Sequence, residues 1–174
     1  MNLKLKHLFF ILLCIGLLSE IQAQPKRINP DLVKFFNGSW SGDGQFANGK
    51  KISAEASFTL SADSSCLIYI HTDRAPNVYK ATSAWGIDKT SGKLVSHVIN
   101  NFNGHTGFTS DGWHQGKLIL TASDTLNNGK GVFYQHFIYE KLNEDQFKMT
   151  YGMSRDGINW REGDHLIFVR NAKN

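Results

Sequence analysis

Lys51-Ile52-Ser53-Ala54-Glu55-Ala56-Ser57-Phe58-Thr59-Leu60 is the stretch on which the fold turns. Ile52, Ala54, Ala56, Phe58 and Leu60 alternate with Lys51, Ser53, Glu55, Ser57 and Thr59. A period of two with one apolar and one polar set is the pattern of a strand with one buried face and one wet face. Asn48-Gly49 immediately upstream has the chemistry of a tight hairpin turn. The strand before that turn is expected over 39–46, and further strands over 66–71, 78–87, 93–100, 106–113, 117–126, 131–141, 146–154 and 165–170. Turn signals separate them at Ser91-Gly92, Asn103-Gly104, Gln115-Gly116, Asn127-Asn128-Gly129, Asn143-Glu144-Asp145 and Asp156-Gly157. About ten strands at regular spacing, joined in sequence by short links, predict an all-β, antiparallel up-and-down barrel, because closure leaves no strand edge exposed.

Two segments precede the strands. Residues 1–23 read as a signal peptide: Lys4, Lys6 and His7, then an apolar run from Leu8 to Leu18, then the small residue Ala23 at the exit. That run is shorter than the roughly twenty residues needed to span a bilayer. Export to the periplasm or the extracellular space is expected, with no stable membrane insertion after cleavage. Residues 24–37 hold one or two helical turns from Pro30 to Phe36, with Leu32, Phe35 and Phe36 on one face and Asn37-Gly38 as the stop. The barrel domain is expected over 38–171.

Composition bounds the function. The 174 residues carry a formal charge of +4 with no dense Lys/Arg block, so nucleic acid is not a predicted partner. After the leader only Cys66 remains, which rules out an internal disulfide in the mature chain. Its neighbours Leu67, Ile68 and Ile70 suit a buried thiol. No Gly-x-Ser-x-Gly elbow and no phosphate-binding glycine loop is present. His71, His97, His105, His114 and His136 show no tight ligand spacing, so no metal site is predicted.

Gly38-Ser39-Trp40-Ser41-Gly42-Asp43-Gly44 follows the short helix, and Arg170 ends the last strand. Trp40 with Gly42, Gly44 and Phe46 on one face suits a large indole at a barrel floor, and a guanidinium at Arg170 can stack on that indole. Gly38, Trp40 and Arg170 are therefore assigned to closing one end. This arrangement resembles the calycin superfamily, in which a short helix, Gly-x-Trp on the first strand and a late basic residue recur. The exported lipocalin-like barrels of that superfamily are similar also at Trp85-Gly86-Ile87-Asp88 with Gly92-Lys93, at Asp111-Gly112-Trp113, and at Ser154-Arg155-Asp156-Gly157-Ile158-Asn159-Trp160. The first strand also resembles that of nitrobindin, a ten-stranded haem barrel. That second resemblance implies haem as a cofactor, with His165 as its ligand.

A barrel of this size encloses room for one small molecule. The expected ligand-binding wall consists of Phe58, Tyr79, Trp85, Leu118, Leu120, Tyr134, His136, Met149, Tyr151 and Met153, an aromatic and methionine-rich set that suits a small hydrophobic or amphipathic guest. No catalytic residue and no cofactor is assigned in this reading. Three alternatives stand beside it. The haem reading needs His165 to face the lumen, but His165 and Arg170 are five apart and fall on opposite faces of a regular strand. A lumen enzyme of lyase or isomerase type would draw on Asp124, Tyr134, His136 and Tyr151. A barrel filled with its own side chains would hold no guest at all. Val132 to Tyr139 is apolar on both faces, and one face is a candidate homodimer contact.

Overall fold

The computed structural model describes residues 27–102, 104–125 and 131–172. The leader reading over 1–23, and the turn at Asn127-Asn128-Gly129, lie outside them. One helix, α1 (Pro30–Phe36), precedes the strands β1 (Gly38–Phe46), β2 (Lys51–Leu60), β3 (Leu67–Asp73), β4 (Lys80–Ile87), β5 (Leu94–Asn100), β6 (His105–Ser110), β7 (Trp113–His114), β8 (Lys117–Thr125), β9 (Val132–Asn143), β10 (Gln146–Ser154) and β11 (Arg161–Arg170). Apart from β7, which pairs only with β8, neighbours in sequence are neighbours in the sheet. The first and last strands pair antiparallel from Trp40–Arg170 to Phe46–Asp164, and β6 meets β8 at Thr109–Thr121. The result is a closed ten-strand antiparallel barrel, with two-residue β7 as an extension of the β8 hairpin.

Two boundaries differ from the sequence reading by more than two residues. The span 106–113 is broken by Asp111-Gly112, where Gly112 has φ +108°, so Trp113 belongs to β7. The last strand starts at Arg161 rather than at His165. Its pairing with β10 shifts between Tyr151 and Gly152, so a β-bulge absorbs the extra length.

Helix α1 stoppers the base. Asn29 caps it, its Oδ1 accepting from the backbone N–H groups of Asp31 (2.8 Å) and Leu32 (3.3 Å). Leu32, Phe35 and Phe36 are buried. The Phe36 ring lies 4.9 Å from Phe58, 5.5 Å from Trp85 and 5.3 Å from Phe147, at separations where aromatic contacts add to simple area burial. Trp40 Nε1 donates to Phe36 O at 2.8 Å. The Arg170 guanidinium lies over the Trp40 ring, with its carbon 4.1 Å from the centroid. It donates to the carbonyls of Asn37 (3.0 Å) and Phe35 (2.6 Å) and to Asp145 Oδ1 (3.0 Å). One side chain thus ties helix, first strand and β9–β10 turn together.

The glycines of β1 serve a purpose other than clearing space for the indole. A Cβ at Gly42 would lie 2.6 Å from the Phe168 ring, and one at Gly44 would lie 1.8 Å from the His165 carbonyl oxygen. They let β11 and its Phe168 lie tightly against β1.

Candidate functional site

Above the packed base the barrel is open. A cavity of about 570 Å³ rises from the level of Leu120, Phe108 and Tyr139 to a rim that includes Asn77, Val78 and Phe102. Ile52, Val98, Phe137, Met149 and Leu166 supply much of its apolar wall. The segment carrying Val78 and the β5–β6 turn are tied together, since Asn101 Nδ2 donates to Val78 O (2.8 Å) and Lys80 N donates to Asn101 Oδ1 (2.8 Å).

The expected wall residues separate into three groups. Tyr79, Leu120, Met149 and Tyr151 line the cavity. Phe58, Trp85 and Leu118 point inward but are fully buried in the packed base, so they form the floor beneath the cavity rather than its wall. Met153, half-buried near the rim, is not in the wall. Tyr134 and His136 are a correction, because β9 turns Gln135, Phe137 and Tyr139 inward instead. The outer face of β9 is apolar because it has its own cover: Trp160 stacks on the His136 ring at 3.9 Å, and Gly157 sits against the Tyr134 ring. Burial under that cover lowers the His136 pKa. Asp124, proposed for an enzyme reading, is exposed and accepts from Gln135 Nε2.

His165 faces away from the lumen. Its neighbours Asp164 and Leu166 line the cavity, while His165 Nδ1 pairs with Glu162 at 2.5 Å on the outside. Strand parity keeps it there, so it cannot ligate an iron held in the lumen. Cys66 is half-buried ahead of β3 rather than sealed in the core.

The polar groups of the cavity escaped the sequence reading. Tyr69, His71 and Asp73 alternate along β3 and all face inward. The Tyr69 hydroxyl is 2.9 Å from His71 Nδ1, and His71 Nε2 is 2.8 Å from Asp73 Oδ1. With Asp73 ionised, a neutral imidazole satisfies both contacts: Nε2–H donates to the carboxylate and Nδ1 accepts the phenol proton. Both ring nitrogens are then occupied, so His71 has no free lone pair to act as a base on a guest. Burial pushes the Tyr69 and Tyr139 phenols far up and Tyr79 up to about 12, so these remain neutral.

Asp164 completes the cluster from β11. Its register partners are Phe46 and Tyr151. Burial raises its pKa from the ordinary 3.8 to about 6; the nearby Asp73 and Glu162 charges push the same way, against the pull of His71 and His165. On the deep wall, Ser96 is fully buried with its Oγ lacking any hydrogen-bond partner. Among the described residues no group of three or more His, Cys, Asp or Glu side chains is arranged to hold a metal ion.

No protein-family model matches the chain, and no curated protein matches it in sequence. Among solved structures, the crystal structure of Rv2717c from M. tuberculosis is similar, with a TM-score of 0.58 at 13% identity over 83% of this chain and 99% of that one. At that identity the likeness concerns the barrel fold alone, which this chain shares with a protein of almost the same extent.

Proposed function

We propose that this protein is an exported, calycin-like barrel that carries one small hydrophobic or amphipathic molecule in its lumen. The observation that carries the reading is the cavity itself: the base is packed solid with aromatic rings, yet about 570 Å³ above it is unfilled and walled mainly by apolar side chains. Natural interiors rarely leave voids much larger than a water, and pockets of roughly 300–1,000 Å³ with a few placed polar groups are the usual form of a small-molecule site. The apolar leader at 8–18 supports export, and the Trp40–Arg170 closure supports the calycin likeness.

Titration with the neutral fluorophore N-phenyl-1-naphthylamine tests this reading. Saturable enhancement at one probe per chain is expected, with loss in a Leu120→Trp variant that fills the lower cavity and still melts cooperatively. Absence of saturable binding to the unaltered protein overturns the carrier reading. Mass spectrometry of the organic extract of purified protein then identifies any native guest.

A further inference from the structure

The charge on the cavity wall narrows the class of guest, given that the lumen is a carrier site. Among the described residues Asp73 and Asp164 line the wall and no Lys or Arg does, although the chain as a whole is basic at +4. Among those described residues His71 is the wall's only cationisable group. Asp73 is satisfied by His71 at 2.8 Å. Asp164 differs: among the described residues no hydrogen-bond donor and no cation pairs with its carboxylate, which faces the half-open cavity where only water or a guest can meet it. A carboxylate turned toward an apolar space without a donor is unfavourable until something supplies one.

A second, independent group also lacks a partner. Ser96 Oγ on the deep wall is fully buried and makes no hydrogen bond, whereas buried hydroxyls are nearly always satisfied. The two open positions lie at different depths. Ser96 is paired in register with Trp85 and Phe108 of the lower barrel, and Asp164 with Phe46 at the mouth end of β1. Between them the wall is apolar, through Leu120, Met149 and Leu166. Tyr79 and Tyr151 line the cavity on the Asp164 side, and aromatic faces near a carboxylate favour a cation.

We propose that the guest is a cationic amphiphile, a protonated amine anchored at Asp164 near the mouth, with an apolar body along the lumen toward the level of Ser96. The same wall disfavours fatty acids and other carboxylates, which would meet Asp73 and Asp164 with no Lys or Arg to receive them.

Three ligands that share one ring system and differ in charge test the assignment by calorimetry at pH 7.5: 2-(2-naphthyl)ethylamine, 2-naphthaleneethanol and 2-naphthylacetate. The amine is expected to bind about tenfold tighter than the alcohol, the gain typical of a charge-assisted hydrogen bond, and the acid to bind more weakly than the alcohol. In Asp164→Asn the amine should fall to within about threefold of the alcohol measured on the same variant. An amine no tighter than the alcohol, an acid that equals or exceeds it, or a preference that survives Asp164→Asn overturns the amine assignment while leaving the carrier intact. Failure of all three ligands to bind overturns both.

Discussion

Asp164 is held in a way that favours its protonated form, and the consequence for stability has a definite sign. A carboxyl raised from 3.8 to about 6 binds its proton more tightly folded than unfolded. Its contribution to stability therefore rises as pH falls from about 7 toward 4, and the penalty is full only above about pH 7. Burial dominates this balance; the titratable groups that face Asp164 are His71 and Asp73 from β3 and Glu162 and His165 from β11, with the phenols of Tyr79 and Tyr151 nearby. Asp164→Asn should stabilise the empty protein by on the order of 1–2 kcal/mol at pH 7.5, after allowance for partial exposure, and change little at pH 4. Urea melts at the two pH values measure it; equal effects at both would contradict the burial argument. Arg170→Lys keeps the charge but loses the flat stack on Trp40 and most of the fork to the Phe35 and Asn37 carbonyls. A loss of about 2–3 kcal/mol is expected in the same melts. Trp40 and Arg170 were legible because a Gly-x-Trp strand after a short helix is a compact pattern. Tyr69, His71, Asp73 and Asp164 form no motif, yet parity alone reaches them: the alternation that sends His165 outward from Arg170 brings Asp164 inward, and Tyr69, His71 and Asp73 stand two apart.

Among the elements, β1 and β8 carry the two ring-closing seams, and the seams are unequal. The β1–β11 pairing runs the length of both strands, whereas β6 and β8 share only the Thr109–Thr121 bridge. Amide exchange should therefore be fastest, among barrel strands, along the facing edges of β6 and β8, and slowest in β1, β2, β10 and β11. Uniform protection around the ring would contradict this. Gly44→Ala attacks the strong seam, since a methyl there meets the His165 carbonyl. Strands so close must part to admit it, and a destabilisation of about 2–3 kcal/mol is expected from thermal melts. Most strands could be read from alternation and turn residues, β2 most clearly. β9 could not be oriented that way, because Tyr134 and His136 are covered by Gly157 and Trp160 from a loop distant in sequence. Local periodicity holds no record of such a cover, and the inward set of Gln135, Phe137 and Tyr139 is chosen by the whole barrel.

For the molecule as a whole, the sequence question of a filled or an open tube resolves into both. The lower part is a solid aromatic core built by Phe36, Phe58, Trp85 and Phe147, all buried, and the upper part is cavity. Phe58, Trp85 and Leu118 were assigned to the wall because alternation reports which face a residue takes and not its height along the barrel axis. Helix α1 makes the difference in height matter. Because it plugs the base, the described residues leave the vessel a single doorway: a molecule that enters cannot pass through to the other side and must back out along the path by which it arrived. If the lumen takes the two-ended guest proposed above, its oily end goes in first and comes out last, and its charged end is the part left facing the doorway.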